Sequence, residues 1–228
     1  MKISHLIKIV VQAFIFIAWW CSAVFGSAGR LTWDRGWICT ALYLGGTVVN
    51  GIVIKRANPE LMGRRENGIP KDTKLFDKIF LGLYIPLAMI LPVVAGLDVV
   101  RFKWGPMPIW TIAPGVILFI ASVSLIMWVM IKNPHAETSV RIQTERGHSV
   151  VTSGPYACVR HPMYVGLILL HFSQVFVLGS TWALADATLI CGLFIWRTAH
   201  EDRTLRRELP GYEQYTLVTC YRLLPGIW

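Results

Sequence analysis

Residues 153–166 read Ser-Gly-Pro-Tyr-Ala-Cys-Val-Arg-His-Pro-Met-Tyr-Val-Gly, a polar, stiff stretch set between apolar runs. Gly154-Pro155 marks a turn, and Pro162 fixes its own φ and biases His161 away from helical geometry. Met163 opens an apolar run, so a helix is expected to start near Pro162. That places Arg160, His161 and Tyr164 at the mouth of a membrane helix, where a cation, an imidazole and a phenol can converge on one ligand. The same residue types in such a place also build a juxtamembrane anchor belt.

The surrounding chain is that of an integral membrane protein. Hydrophobic residues make up 54% of the 228 and charged residues 15%, well under the roughly one quarter of a soluble domain. Mean hydropathy is +0.52. Working outward, apolar runs occur at residues 6–25, 36–54, 79–97 and 109–131, each near the roughly 20 residues a crossing helix needs. Lys2 and Lys8, before and near the start of the first run, resemble a signal-peptide start, but the run is long for a signal and holds two tryptophans, so it is expected to stay as a helix. Gly45, Gly46 and Gly51 in the second run suit close helix packing. Pro86 and Pro92 in the third are tolerated where neighbours satisfy the freed carbonyls. Between the second and third runs, residues 60–66 form at most a short interfacial turn. Two shorter runs, 164–178 and 182–196, are joined by Gly179-Ser180-Thr181 and read as a helical hairpin. Fifteen residues at about 1.5 Å each fall short of a hydrocarbon core of about 30 Å, so polar ends or local thinning must complete those crossings. Asp186 in the second of them is expected near the far interface. The fold class is therefore all-α, with about six transmembrane helices.

Eighteen of the 22 Lys and Arg residues fall on the side of the N-terminus, and only Arg30, Arg35, Arg101 and Lys103 on the other. By the positive-inside rule, both termini and the two long polar loops are cytoplasmic. The net charge of +9 is thereby explained without nucleic acid. Cys21, Cys39, Cys158, Cys191 and Cys220 show no paired spacing, so neither a structural metal nor a disulfide is expected. The 153–166 stretch and the C-terminal tail share the cytoplasmic face, where a site can form between them. In that tail Arg197 and Glu201 lie four apart and share a face of a continuing helix, with Leu205 and Leu209 extending the stripe. By themselves these also describe an exposed helix with weak surface ion pairs.

Taken together, Gly-Pro-Tyr-x-x-Val-Arg-His-Pro-Met-Tyr-x-Gly, the acidic pair Glu201-Asp202 and the tail motif Gly-Tyr-x-x-Tyr resemble the isoprenylcysteine carboxyl methyltransferases and their bacterial relatives, a signature shared with phospholipid N-methyltransferases. The resemblance covers roughly the last 100 residues. Asp202 departs from the family's second Glu, with a shorter reach, and Leu209-Pro210-Gly211-Tyr212 stands where many relatives have a Phe-Gly turn. The apolar runs give residues 1–131 as an N-terminal membrane region of four spans, and the resemblance implies 132–228 as the methyltransferase region. It implies S-adenosylmethionine at the cytoplasmic end of the last helices, without a Rossmann domain; no GxGxxG follows a candidate strand.

The cofactor-binding residues so implied are Gly154, Pro155, Tyr156, Val159, Arg160, His161, Pro162, Tyr164, Gly166, Glu201, Asp202 and Leu205. Glu201 suits the cofactor's ammonium, while His161 and the 154–156 turn suit its carboxylate. Leu205, Tyr164 and the Pro225 region are expected around its adenine. Catalytic roles fall to Glu201 and to Arg197, which can orient a carboxylate acceptor that needs no base. An amine acceptor needs a base, His161 or His200. His200 otherwise reads as a surface residue and His171 as a packed core residue. The expected acceptor is lipophilic, with phospholipid amine as the alternative to an isoprenylcysteine-type carboxylate. An NADPH-dependent sterol-type reductase shares a similar Tyr-Arg-x-x-Pro ending but is much longer, and a membrane scaffold would be expected to carry more intramembrane charge.

Overall fold

A computed structural model of the chain describes residues 3–66, 70, 73–143 and 147–228, with side chains described for all of these except 3–10, 62, 64 and 66. Among the described residues eight α-helices follow one another: α1 (Ile3–Cys21), α2 (Asp34–Ala57), α3 (Pro59–Glu66), α4 (Leu75–Gly96), α5 (Ile112–Lys132), α6 (Pro162–Leu178), α7 (Thr181–Glu208) and α8 (Tyr212–Val218). Wider π-type turns carry α1 on to Gly26 and α4 on to Phe102. Among the described residues the only β pairing is an isolated bridge between Pro106 and Ser180.

The chain is an integral membrane protein. Asp34–Ala57, Leu75–Phe102 and Ile109–Lys132 are long and apolar enough to cross a membrane, and Val11–Gly26 and Pro162–Leu178 are shorter apolar helices. The hairpin expected at residues 164–196 is present as α6 and α7, but the two arms are unequal. With 17 residues α6 is about 26 Å long; with 28 residues α7 reaches about 42 Å. The second arm therefore runs without a break from the apolar Trp182–Trp196 stretch into the charged one, and the acidic pair sits on the same rigid rod as the membrane helix. The interfacial turn expected at 60–66 is a two-turn helix, α3, anchored by fully buried Leu61.

Close backbone approach sets the packing of α5 on α6. A Cβ on Gly166 would meet Ile126 Cγ1 at 2.7 Å, and one on Gly115 would meet Val177 at 2.8 Å. Ser122 Oγ donates to the Gly166 carbonyl at 2.7 Å. Small residues and a hydroxyl bond are the means by which helices associate where lipid removes the hydrophobic drive. Of the three glycines expected to pack in α2, only Gly46 does, against the Phe119 ring; Gly45 and Gly51 face open space. A cluster of tilted rings joins α4 to α7, with Phe80 and Tyr84 centred 5.1 and 5.2 Å from Phe194. The Tyr84 hydroxyl lies 3.2 Å from His171 Nε2, so His171 is a packed, hydrogen-bonded core residue as expected.

The end of the bundle away from the acidic pair is closed by two buried ionic groups. Arg35 donates to the Met107 and Pro108 carbonyls and to Thr111 Oγ1. Asp98 accepts from Gly105 N, Ser180 Oγ and Trp182 N. The turn between α6 and α7 passes so near Arg35 that only Gly179, at φ 77°, fits there. Asp186 lies in the second turn of α7 at this end.

Gly166→Ala is expected to destabilise the protein by about 1–3 kcal/mol through overpacking against Ile126. Gly45→Ala is expected to change stability little, its new methyl facing open space. Denaturant unfolding of both variants in mixed micelles checks the pair, and equal losses would remove the packing account.

Candidate active site between the α6 entrance and the end of α7

The 153–162 stretch folds as its sequence demands. Gly154, at φ 63°, opens a tight 3-10 turn over Gly154–Ala157, and a Cβ there would crowd Trp128 Nε1 at 3.1 Å. Pro162 stands in the first turn of α6, with His161 outside helical geometry at φ −124°. The tail holds this segment as a strap. Arg160 N donates to the Tyr221 carbonyl at 2.9 Å and His161 N to the Arg222 carbonyl at 3.0 Å. The Arg160 guanidinium donates through Nη1 to the carbonyls of Thr219 and Cys220, at 2.9 and 2.7 Å.

Beneath the strap lies Asp202, 1% exposed. Arg160 Nε reaches its Oδ1 at 2.7 Å, Tyr212 Oη donates to the same oxygen at 3.0 Å, and Arg222 Nε donates to Oδ2 at 3.0 Å. His161 Nε2 stands 3.5 Å from Oδ1. One carboxylate thus joins the motif, α7, α8 and the tail. Burial pushes the Asp202 carboxyl up, but hydrogen bonds from His161, Arg160 and Arg222 outweigh it and hold the carboxyl well below the usual carboxylate range. Burial, then the Asp202 charge, pushes the Tyr212 phenol far above its ordinary value, so it stays a donor at neutral pH.

Glu201, the other member of the acidic pair, points elsewhere. Its Oε2 accepts a short hydrogen bond from Tyr164 Oη and lies 4.0 Å from His161 Nδ1. The His161 and Tyr164 rings stack at 7° with centroids 5.7 Å apart. The Arg197 guanidinium also packs on Tyr164, 5.0 Å from its ring centre and 4.4 Å from that of Phe80. Arg197 Nε touches Asp77 Oδ1 at 2.8 Å, out of line for a hydrogen bond, and Nη2 donates to the Thr138 carbonyl at 3.0 Å. Asp77 also accepts from Val140 N at 2.7 Å, so α4, α7 and residues 138–140 meet at this ion pair.

These groups border a cleft enclosing about 840 Å³ of empty space, its open mouth included. Of the residues expected at the site, Tyr156, Arg160, His161, Tyr164, Arg197, Glu201 and Leu205 line it. Gly154, Pro155, Val159, Pro162, Gly166 and Asp202 lie off the lining: they shape the turn, pack α6 or tie the strap. Pro225 is also off the lining and exposed. His200 is turned away, its Nδ1 2.9 Å from the Trp196 carbonyl and its ring against Phe76.

Sequence reasoning passed over half of the cleft. Its second wall comes from residues 133–141 and 148–151, whose sequence shows no helical or strand period. Asn133 Nδ2 donates to Tyr156 Oη at 2.6 Å, and the rings of His135 and His148 stack 4.3 Å apart. Glu137, Arg141 and Val150 join them on the lining. The tail closes the remaining side: Leu209, Tyr212 and Tyr215 form one cluster with Ile142, Val150, Tyr156 and Leu205. Tyr215 Oη donates to the Tyr156 carbonyl at 2.6 Å, and burial pushes that phenol up to about 12. The available signals were the Asn and paired His in an otherwise aperiodic loop and the spacing of Tyr212 and Tyr215.

Asp202→Asn is expected to cost about 3–5 kcal/mol, because it leaves Arg160 buried without its counter-charge. A carboxyl whose pKa falls on folding adds stability above its unfolded value of about 3.9 and loses it as pH drops toward the folded value. The wild-type advantage over Asp202→Asn should therefore be full at pH 6 and shrink below about pH 4. Unfolding of both proteins across that range checks it; an advantage independent of pH would refute the linkage.

A sequence model of the isoprenylcysteine carboxyl methyltransferase (ICMT) family matches residues 115–207. No curated protein matches the chain. The matched region runs from Gly115 in α5 through the wall residues 133–141 and 148–151 and the Arg160–Gly166 motif to Arg207 in α7. Residues 115–207, which carry Glu201, Tyr164 and the first two walls of the cleft, are thus similar to the isoprenylcysteine carboxyl methyltransferase family, a family of membrane methyltransferases.

Proposed function

We propose that the protein is an S-adenosylmethionine-dependent methyltransferase acting on a lipophilic acceptor, an isoprenylcysteine-type carboxylate by family resemblance. The observation that carries this reading is Glu201, a carboxylate on the wall of a large cleft at the end of a membrane hairpin, aimed by Tyr164 and flanked by His161. The residues fit the group they would hold. Glu201 offers the counter-charge for an ammonium, His161 and Arg160 offer donors for a carboxylate, and Leu205, Leu209 and Val150 offer an apolar slot for a purine. When bound, the cofactor supplies an electrophilic methyl on a sulfonium, which a nucleophile displaces in line while the electron pair of the broken bond stays on sulfur.

The chain's own residues contribute alignment and dryness rather than covalent chemistry. Tyr164 fixes Glu201, and its ring in turn packs against the His161 imidazole and the Arg197 guanidinium. Arg197, pinned by Asp77 and the Thr138 carbonyl, sets the position of the loop wall and presents a cation to the cleft, where it can orient an acceptor carboxylate. Such an acceptor is already ionised at neutral pH and needs no base. For the alternative acceptor, a phospholipid amine, His161 is the imidazole on the lining near Glu201 that can take the proton, since His200 is turned away. Because the basic residues crowd the end of the bundle that holds the cleft, we place that end and both termini in the cytoplasm. A cytosolic cofactor and a membrane-borne acceptor then meet at the interface.

Calorimetric titration of S-adenosylhomocysteine tests the reading. Binding to the wild type is expected, weakened more than about tenfold in Glu201→Gln and His161→Ala by loss of charge-assisted bonds. Tyr164→Phe should weaken it less, since Glu201 remains. Undiminished affinity in both charge variants removes the assignment. Stabilisation by NADPH instead would point to a reductase. Label transferred from the cofactor to phosphatidylethanolamine rather than to a prenylcysteine analogue would select the amine acceptor.

A further inference from the structure

On the other side of Asp202 from the cleft, the end of α7 and the tail form a second, open notch lined by Ala199, Asp202, Arg203, Arg206 and Arg222. Its charge is unbalanced. Arg206 Nε and Arg222 Nε both reach Asp202 Oδ2, at 3.3 and 3.0 Å, while Arg160 occupies Oδ1 from the buried side. A single carboxylate thus faces three guanidiniums, with Arg203 beside them. The neighbouring acids of α7 are engaged elsewhere, Glu201 with Tyr164 and Glu208 with Lys74. Three donors forks around one notch suit the oxygens of a phosphate.

Two further observations say where that phosphate comes from. The Glu208 to Lys74 ion pair, at 2.7 Å, sets the last turn of α7 level with the residue that precedes the apolar span Leu75–Phe102. Arg203 and Arg206 therefore stand outside the start of that span, roughly 9 and 14 Å along α7 beyond Arg197, which pairs with Asp77 inside it. Beside them the tail exposes Leu217, Val218, Tyr221, Leu224 and Ile227, although Leu223 between them is buried in the core. Exposed apolar side chains next to arginines at the mouth of a span are the marks of a segment lying in the headgroup layer.

We propose that this notch binds the phosphodiester headgroup of an anionic phospholipid, with the exposed apolar residues of the tail resting in the acyl boundary. The site is separate from the cleft and does not depend on methyl transfer. It shares Asp202 and Arg222 with the strap that holds Arg160 and His161, so an occupied notch also secures the tail.

Thermal unfolding of the full chain in neutral detergent, titrated with phosphatidylglycerol, phosphatidylcholine of the same acyl chains, or glycerol phosphate, tests the proposal. Phosphatidylglycerol is expected to raise the transition saturably, and the other two not. Arg203→Gln should weaken the apparent phosphatidylglycerol affinity about fivefold and Arg203→Gln/Arg206→Gln about 25-fold, one step per charge removed. Arg101→Gln, at the opposite end, should leave it unchanged. Equal stabilisation by phosphatidylcholine, or unchanged affinity in Arg203→Gln and the double variant, overturns the proposal. An equal loss in Arg101→Gln does so too, since it reduces the effect to general charge. The same shift from glycerol phosphate alone overturns the lipid assignment in favour of a soluble phosphate.

Discussion

A single buried carboxylate organises the functional end of this molecule. Asp202 receives Arg160 from the motif before α6, Tyr212 from α8 and Arg222 from the tail. Each partner is also committed elsewhere: Arg160 to two tail carbonyls, Tyr212 to the imidazole of His161, Arg222 to the ring of Trp228. A charge taken this far from water is stable only when its bonds are complete. The segments that meet at Asp202 are therefore held together or lost together.

The adjacent Glu201 shows how one turn of helix divides two tasks. Successive residues on a helix point about 100° apart, so the two members of the acidic pair cannot share a site. Asp202 faces the strap and is saturated by cations. Glu201 faces the cleft and is met by one phenol. The charge of the first secures the frame, and that of the second is presented to the cavity. Asp in place of a second Glu suits the inner position: its shorter reach places the carboxylate within 2.7 Å of Arg160 Nε, close to the α7 backbone.

A second ion pair, Arg197 with Asp77, does the corresponding work for the loop wall. By binding Val140 N and the Thr138 carbonyl, it fixes backbone that has no secondary structure of its own. The long rod of α7 carries Arg197, Glu201 and Asp202 at successive positions of one rigid element rooted in the membrane. Side chains on a rigid element hold their mutual geometry more closely than side chains on loops. Here the loop is aimed by the rod.

How much of this was legible in the sequence depends on range. Composition, run lengths and the Gly-Ser-Thr turn determined an all-α membrane protein ending in a hairpin, because helices in lipid satisfy their backbone locally and hydropathy reads them directly. The spacing of Arg160, His161, Tyr164 and Glu201 marked the site, because local turn chemistry and helix register place those groups. The unequal arms of the hairpin, the idle Gly45 and Gly51, and the off-lining positions of Asp202 and Pro225 emerged only in three dimensions. So did the wall at 133–141 and 148–151. Residues 138–140 are ordered by Asp77 and Arg197, about 60 residues away on either side, and no period in the loop itself records those partners. What the sequence by itself determined is the part built from contacts within a few residues. What the tertiary structure decided is which of the two acids faces the cleft, and which distant segments enclose it.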